Sequence, residues 1–242
     1  MKSIQKQYTD EMKKRFGYYA IWTPDVPLKL GDILILENDG FNKIDNLANL
    51  GISFEIFPDN TKSILEYSSE RGITMVQKLA GEAPLVGSSL TEADAGIIVE
   101  FSKEKSILFK LNNVTSPYID RTNSLGTEII EKYNSGDWKK EWFVVSELKE
   151  AESATIIISN SNKGKIELKA NANIGGTNFD IADASFDFSV KFNTGLSTKI
   201  VASEGITPLF KLRGIKKMGS TSNFSALSEE YSFELIEDED LV

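Results

Sequence analysis

Two runs of strict alternation limit what this chain can fold into. From 165 to 174, Ile166, Leu168, Ala170, Ala172 and Ile174 take every second place, with Lys165, Glu167, Lys169, Asn171 and Asn173 between them. From 184 to 192, Ala184, Phe186, Phe188, Val190 and Phe192 alternate with Ser185, Asp187, Ser189 and Lys191. Successive side chains of a strand point to opposite faces, so a period of two held over about nine residues predicts a half-buried strand. Looser versions cover 72–81 and 95–103. The first pair is joined through Gly175, Gly176 and Asp180 to Asp183, the second through a loop at 81–93 with Pro84, Gly87, Ser88 and Ser89. A strand of about nine to eleven alternating residues is also what crosses a bilayer. An ordinary sheet with one solvated face gives the same pattern.

The remaining segments fill out an α+β reading. Residues 3–15 read as a short helix with an apolar stripe at Ile4, Tyr8 and Met12. Its basic residues are Lys2, Lys6, Lys13, Lys14 and Arg15. Such a helix is either a surface element held by its stripe or a segment that meets anionic headgroups. Strands are expected at 28–36, broken by Gly31-Asp32, and at 52–56, 64–67, 107–111, 141–148, 155–159, 200–202 and 209–212. Asp39-Gly40 signals a hairpin turn, and 47–51 a short helical piece. Residues 122–133 form the best internal helix, with Ile129, Ile130 and Tyr133 on its buried face and Ser135-Gly136-Asp137 as its stop. With no alternating βα units, the expected fold is a large, twisted, mostly antiparallel sheet with a basic N-terminal helix and peripheral helices.

Composition narrows the chemistry. Cysteine and histidine are both absent, which removes disulfides, thiolate chemistry, His-based triads and the Cys or His ligands of zinc sites. The formal charge of −9 argues against a nucleic-acid partner. The spacing at 81–89 does not fit a Walker loop, which needs four residues between its glycines and a following Lys. Asp180, Asp183 and Asp187 lack the spacing and closing Glu of an EF-hand loop and read as turn residues. Glu147, Glu150 and Glu152 could be imagined as paired carboxylates of a glycosidase. Trp22, Trp138, Trp142 and Phe143 read as core anchors or as interfacial aromatics. Neither a run of about eighteen apolar residues nor an apolar core behind Met1-Lys2-Ser3 occurs, so a soluble, cytoplasmic resting form without cofactors is expected.

The last stretch stands apart. Residues 219–242 carry Glu229, Glu230, Glu234, Glu237, Asp238, Glu239 and Asp240 without a Lys or Arg, and these seven acids account for the step from −2 to −9 in formal charge. They follow the basic segment Lys211, Arg213, Gly214, Lys216 and Lys217. Phe224, Leu227, Tyr231, Phe233, Leu235 and Ile236 make the stretch partly apolar. It is either an ordinary acidic terminus or a segment that docks on the body and is released.

The order of these elements resembles a gasdermin pore-forming domain. Leu28-Lys29-Leu30-Gly31-Asp32-Ile33-Leu34 resembles an early strand of that family. Residues 128–136, followed by Trp142-Phe143-Val144-Val145-Ser146-Glu147-Leu148, resemble the helix, turn and strand between its two hairpin regions. Residues 195–212 resemble its last strands. The chain is similar to the short bacterial members, except that the N-terminal cysteine common among those is missing here. The resemblance implies a pore-forming domain at 1–218 and an autoinhibitory tail at 219–242. It implies cleavage near Arg213, Lys216, Lys217 and Met218 by a partner protease. Phe224, Leu227, Tyr231, Phe233 and Leu235 would hold the tail in place, and Lys2, Lys6, Lys13, Lys14 and Arg15 would meet membrane lipids. The active form would be a homo-oligomeric β-barrel in the inner membrane, causing cell death in antiviral defence. The competing reading is a soluble α+β binding module whose acidic tail docks on a basic partner.

Overall fold

A computed structural model of the chain describes residues 3–38, 40–69, 72–171, 181, 188–202, 205–217 and 231–241. Helix α1 (Ile4–Phe16) opens on Ser3, whose hydroxyl accepts the Lys6 N–H, and closes on Gly17 in the left-handed region at φ 74°. Its stripe is buried as expected: Tyr8 and Met12 are fully inaccessible, and Ile4 packs beside them. Strands follow as β1 (Tyr19–Ala20), β2 (Asp32–Glu37), β3 (Gly40–Asn46), β4 (Glu55–Phe57), β5 (Ser63–Ser68), β6 (Ile73–Lys78), β7 (Gly96–Phe101), β8 (Ile107–Val114) and β9 (Tyr118–Asp120). After helix α2 (Thr122–Ser135) come β10 (Phe143–Ala151), β11 (Ser153–Ser159), β12 (Gly164–Ala170), β13 (Phe188–Thr194), β14 (Leu196–Ala202), β15 (Ile206–Lys217) and β16 (Tyr231–Leu235). Short 3-10 turns cover Leu47–Leu50 and Asp238–Leu241.

The fold is α+β, and all strand pairings among the described residues are antiparallel. The expected large sheet is divided in three. A central eight-stranded sheet runs β1-β15-β10-β2-β3, with β16 also on β15, β9 on β10 and β4 on β9. Its core holds Ile33, Leu34, Leu47, Val144, Val145, Phe210 and Leu212, with α2 contributing Leu125 and Ile129. On α2, Ile130 is only half-buried, while Gly126 takes a buried place that the helix pattern does not suggest.

The other two sheets have the same strand order. One runs β14-β11-β8-β5 and the other β13-β12-β7-β6. Each strand of the first leads into its counterpart in the second through a short link: 69–72, 102–106, 160–163 and Gly195. Leu108 and Ile157 of the first sheet pack against Ile97, Val99, Phe101, Ile166 and Leu168 of the second. The opposite face of the first sheet, with Phe109, Leu111, Ala154, Ile156 and Ile158, packs under α1.

Sequence patterning places all four strands of the second sheet, but two details differ. A bulge between Glu167 and Leu168 puts Phe192 opposite Glu167 and Val190 opposite Leu168. Phe192 therefore shares a face with Glu167 and not with Val190, because an extra residue in one strand reverses the alternation. The polar face of β12 is also not solvated: Glu167 is 1% exposed. The patterned residues 172–174 and 184–187 lie outside the described residues.

Candidate functional site: a folded ribbon, its strap and the terminal strand

The two four-stranded sheets are halves of one ribbon folded back on itself. The backbone ladder continues around the bend: Ser69 N–H donates to Ile107 O, Ser102 N–H to Gly72 O, Ser159 N–H to Ser106 O, Lys105 N–H to Ser159 O and Asn160 N–H to Gly195 O. Ser or Gly stands at each link: Ser69 and Gly72, Ser102 and Ser106, Ser161, and Gly195. A Cβ on Gly164 would lie 2.5 Å from Ser159 Oγ and 3.2 Å from Gly195 O, so the two strands pass close together there. β5 to β8 form one long hairpin and β11 to β14 another, with α2 between them in sequence. The concave surfaces inside the bend are apolar.

Residues 79–95, the tip of the first hairpin, lie as a strap across the polar outer face of the second sheet. Ser89 donates its N–H and its hydroxyl to Glu167 Oε2, at 2.7 and 2.5 Å. Lys165 Nζ donates to Gly87 O at 2.9 Å and forms an ion pair with Glu167 Oε1 at 2.9 Å. Asp94 accepts the Thr91 N–H and hydroxyl, both at 2.9 Å, and pairs with Lys169 at 2.5 Å. Lys78, with 0% exposure, gives its ammonium to the carbonyls of Asp94 and Leu79 at 2.8 and 3.3 Å. Leu90 is 1% exposed and fills the space over Gly96, where a Cβ would lie 2.9 Å from its Cδ1. The Lys169 hydrogen bond, then that of Thr91, holds the Asp94 carboxyl well below the usual carboxylate range. Burial pushes the Glu167 carboxyl up, but the bonds from Ser89 and Lys165 outweigh it and the net shift is downward.

The C-terminal segment docks on the central sheet. β16 pairs with Arg213 to Lys217 of β15, with Phe233 opposite Ile215 and Tyr231 opposite Lys217. Phe233 is 8% exposed and Ile236 3%. Phe233 sits against Gly126 of α2, where a Cβ would come within 3.0 Å of its own, and Tyr231 meets Tyr133 edge to face. Ile236 N–H donates to Leu212 O, and Tyr19 OH donates to Ile236 O. The acids turn inward to this chain's own cations: Glu237 to Lys13 at 3.0 Å and Asp240 to Lys216 at 2.6 Å. Burial, and then the charges of Asp238, Glu237 and Asp240 nearby, push the Tyr19 phenol up.

The residues singled out from sequence are thus placed unevenly. Tyr231 and Phe233 pack against α2. Leu235 does not, being 40% exposed at the strand end, while Ile236 just beyond it is buried. Phe224, Leu227, Met218 and Lys2 lie outside the described residues. Arg213 and Lys216 are inside β15, paired with Leu235 and Ser232.

Among the helix cations, Lys13 is committed to Glu237 and lies 3.9 Å over the Tyr19 ring. Lys6 lies 3.8 Å from Asp10. Lys14 and Arg15 are exposed and line a groove of about 620 Å³ with Lys103 and Lys105 from the β7–β8 link. The aromatics are anchors: Trp138 and Phe143 are buried, and Trp22 rests on Tyr8. The three glutamates have separate surroundings. Glu147 meets the Tyr18 hydroxyl and Lys211, Glu152 pairs with Lys62, and Glu150 lines a pocket beside Asp32 and Lys43. Among the described residues no helix is long and apolar enough to cross a membrane.

In comparison with solved structures, the chain is similar to a bacterial gasdermin from Bradyrhizobium tropiciagri, with 13% identity and a TM-score of 0.36 over 88% of this chain and 87% of that one. No family model matches the chain, and no curated protein matches it.

Proposed function

We propose that this chain forms pores in membranes, and that the structure described is its resting form, held by the C-terminal strand. The observation that supports this is the folded ribbon. Two sheets with one strand order, joined strand by strand around a bend of short links, become a single four-stranded ribbon on unbending. Straightened, residues 153–170 would reach ~60 Å at about 3.3 Å per residue, roughly twice the ~30 Å hydrocarbon core. The apolar surface now inside the bend would face lipid. Copies would join side by side through the ribbon edges, because hydrocarbon tolerates no unpaired strand edge.

Cutting within 218–230 makes the contact of β16 intermolecular, so its effective concentration collapses. Loss of the acidic segment frees Lys13 and Lys216, and the basic helix then meets anionic lipid. In this reading the resting protein is cytoplasmic, a protease activates it, and the oligomer acts at the inner membrane, with cell death as a form of defence.

The test is dye release from vesicles of anionic phospholipid. The full chain, carrying a specific protease site within 218–230, is compared before and after cutting. Release only after the cut is the expected result. Absence of release from cut protein that keeps its circular dichroism, and whose tail has left, would overturn the proposal.

A further inference from the structure

The strap at 79–95 belongs to one hairpin, yet nearly all of its anchors belong to the other. Glu167, Lys165 and Lys169 are on β12, whereas the strap joins β6 to β7. Its contacts are the kind that stay made or break as a group. Glu167 is 1% exposed, and Ser89 supplies two donors to one of its oxygens. A buried carboxylate that loses such donors keeps the cost of its desolvation without the compensation. Lys78 is in the same position, fully buried and bonded to strap carbonyls.

The strap also fixes strand length. β6 stops at Lys78 and β7 starts at Gly96, so each has six residues in the ladder. A bilayer crossing needs about nine to eleven. The residues that would lengthen them, Leu79 to Glu82 on one side and Glu92 to Asp94 on the other, belong to the strap, while Ala95 O still accepts the Ala170 N–H. Glu82 Oε2 accepts the Leu79 N–H, and Gly81 N–H bonds Glu92 O, closing the base of the strap just beyond the strand ends.

We propose that this strap is a second restraint, separate from the C-terminal strand, and that it couples the two hairpins so that neither lengthens until the Ser89–Glu167 contact opens. The proposal rests on the pore-forming reading and adds its internal control. Removal of β16 permits insertion, and release of the strap sets its rate. A strap tied only to its own hairpin would leave the other free to lengthen first. Here the first hairpin cannot extend without uncovering the polar face of β12.

The test uses the full chain with the protease site in 218–230, cut in the presence of anionic vesicles, with dye release followed in time. Ser89→Ala removes the hydroxyl donor, and Ser89→Thr keeps it. Ser89→Ala should leak faster by about tenfold or more, the factor carried by one hydrogen bond to a charged group, and Ser89→Thr should return toward the parent rate. Hydrogen exchange on the uncut proteins should show faster exchange across 79–95 in Ser89→Ala, with β2 and β10 unchanged. A cut parent that leaks, beside a Ser89→Ala variant that leaks at the same rate despite a loosened strap, would overturn the restraint and leave the pore reading standing. If Ser89→Ala exchanges like the parent throughout 79–95, the contact does not hold the strap and the proposal falls on that ground alone. A parent that never leaks removes the pore reading itself.

Discussion

Phe233 offers the most direct test of what the C-terminal strand does. Its ring is 8% exposed in the central core and lies against Gly126 of α2. Truncating a buried Phe to Ala costs about 3–5 kcal/mol. β16 is the last strand and pairs with β15. It can open locally without taking the β10–β2 ladder with it, so the cost should fall on opening of the strand and not on global unfolding. At about 1.4 kcal/mol per factor of ten, Phe233→Ala should raise the open fraction at least ~100-fold. Amide exchange across 231–236 should accelerate by that factor, including Ile236, whose N–H bonds Leu212 O. Amides in β2 and β10, paired at Ile33 and Val144, should hold their protection. The uncut variant should then release dye from anionic vesicles, which the uncut parent should not. Equal loss of protection in β2 and β16 would show that Phe233 supports the whole domain. Selective opening of β16 without leakage would show that the strand is no restraint at all.

Four other expectations follow from the same contacts. Lys217→Cys with Tyr231→Cys places a pair on directly opposed positions of an antiparallel ladder, where Cα separations of about 4.5–5.5 Å suit a disulfide. In a chain without cysteine, cut protein should leak only after reductant is added, and leakage from the oxidised form would refute the need for strand release. Asp240 is held below the usual carboxylate range by the Lys216 hydrogen bond and then by the Glu237 N–H. Its folded pKa is the lower one, so its contribution is full above an unfolded value of about 3.9 and fades as pH falls through the folded value; exchange across 231–236 should quicken only below about pH 4, and less so in Asp240→Asn. Charge reversal at Lys14 and Arg15, both exposed in the groove beside Lys103 and Lys105, should weaken vesicle binding measured by flotation while the melting temperature stays put. Lys13→Ala should instead loosen the tail slightly, by about 0–1 kcal/mol for an ion pair of this exposure, seen as faster exchange at 235–238 in the uncut protein.

Sequence made the second sheet of the ribbon legible because its strands have one buried and one polar face. Ile166, Leu168 and Ala170 announce that face directly. The first sheet was harder to see as its continuation. β11 is buried along its whole length, from Ser153 to Ser159, and a strand covered on both sides has no alternation to read. The bend itself is written in Ser69, Gly72, Ser102, Ser106, Ser159 and Gly164, residues that from sequence mean only a turn. What makes them a fold line is that four such turns fall at the same level of neighbouring strands, and that is a property of register, which single segments do not carry. The same limit hid the strap. Glu167 sits at a position that patterning assigns to solvent, and only the return of Ser89 over it, 78 residues earlier in the chain, makes it a buried anchor.

These two unreadable features belong together. A ribbon that must unbend cannot be held by its apolar face alone, because that face is what it offers to lipid. Holding it by a polar contact on the other face solves the problem. The Glu167 carboxylate is buried in the resting form, with Ser89 at the surface over it, and the contact is dispensable once water reaches the carboxylate, since a solvated carboxylate regains its partners from solvent. In the unbent state proposed here, the face carrying Glu167 and Lys165 lines an aqueous lumen, so opening the strap exchanges protein donors for water at little net cost. Replacement of Glu167 and Ser89 together by residues of similar shape without charge, as in Glu167→Leu with Ser89→Ala, should therefore reverse the balance: a resting form at least as stable to urea, and a cut protein that leaks more slowly than the parent, because the unbent state alone then exposes an apolar side chain to water. If that double variant leaked as fast as Ser89→Ala does, polar reversibility would not be the reason the anchor is a carboxylate.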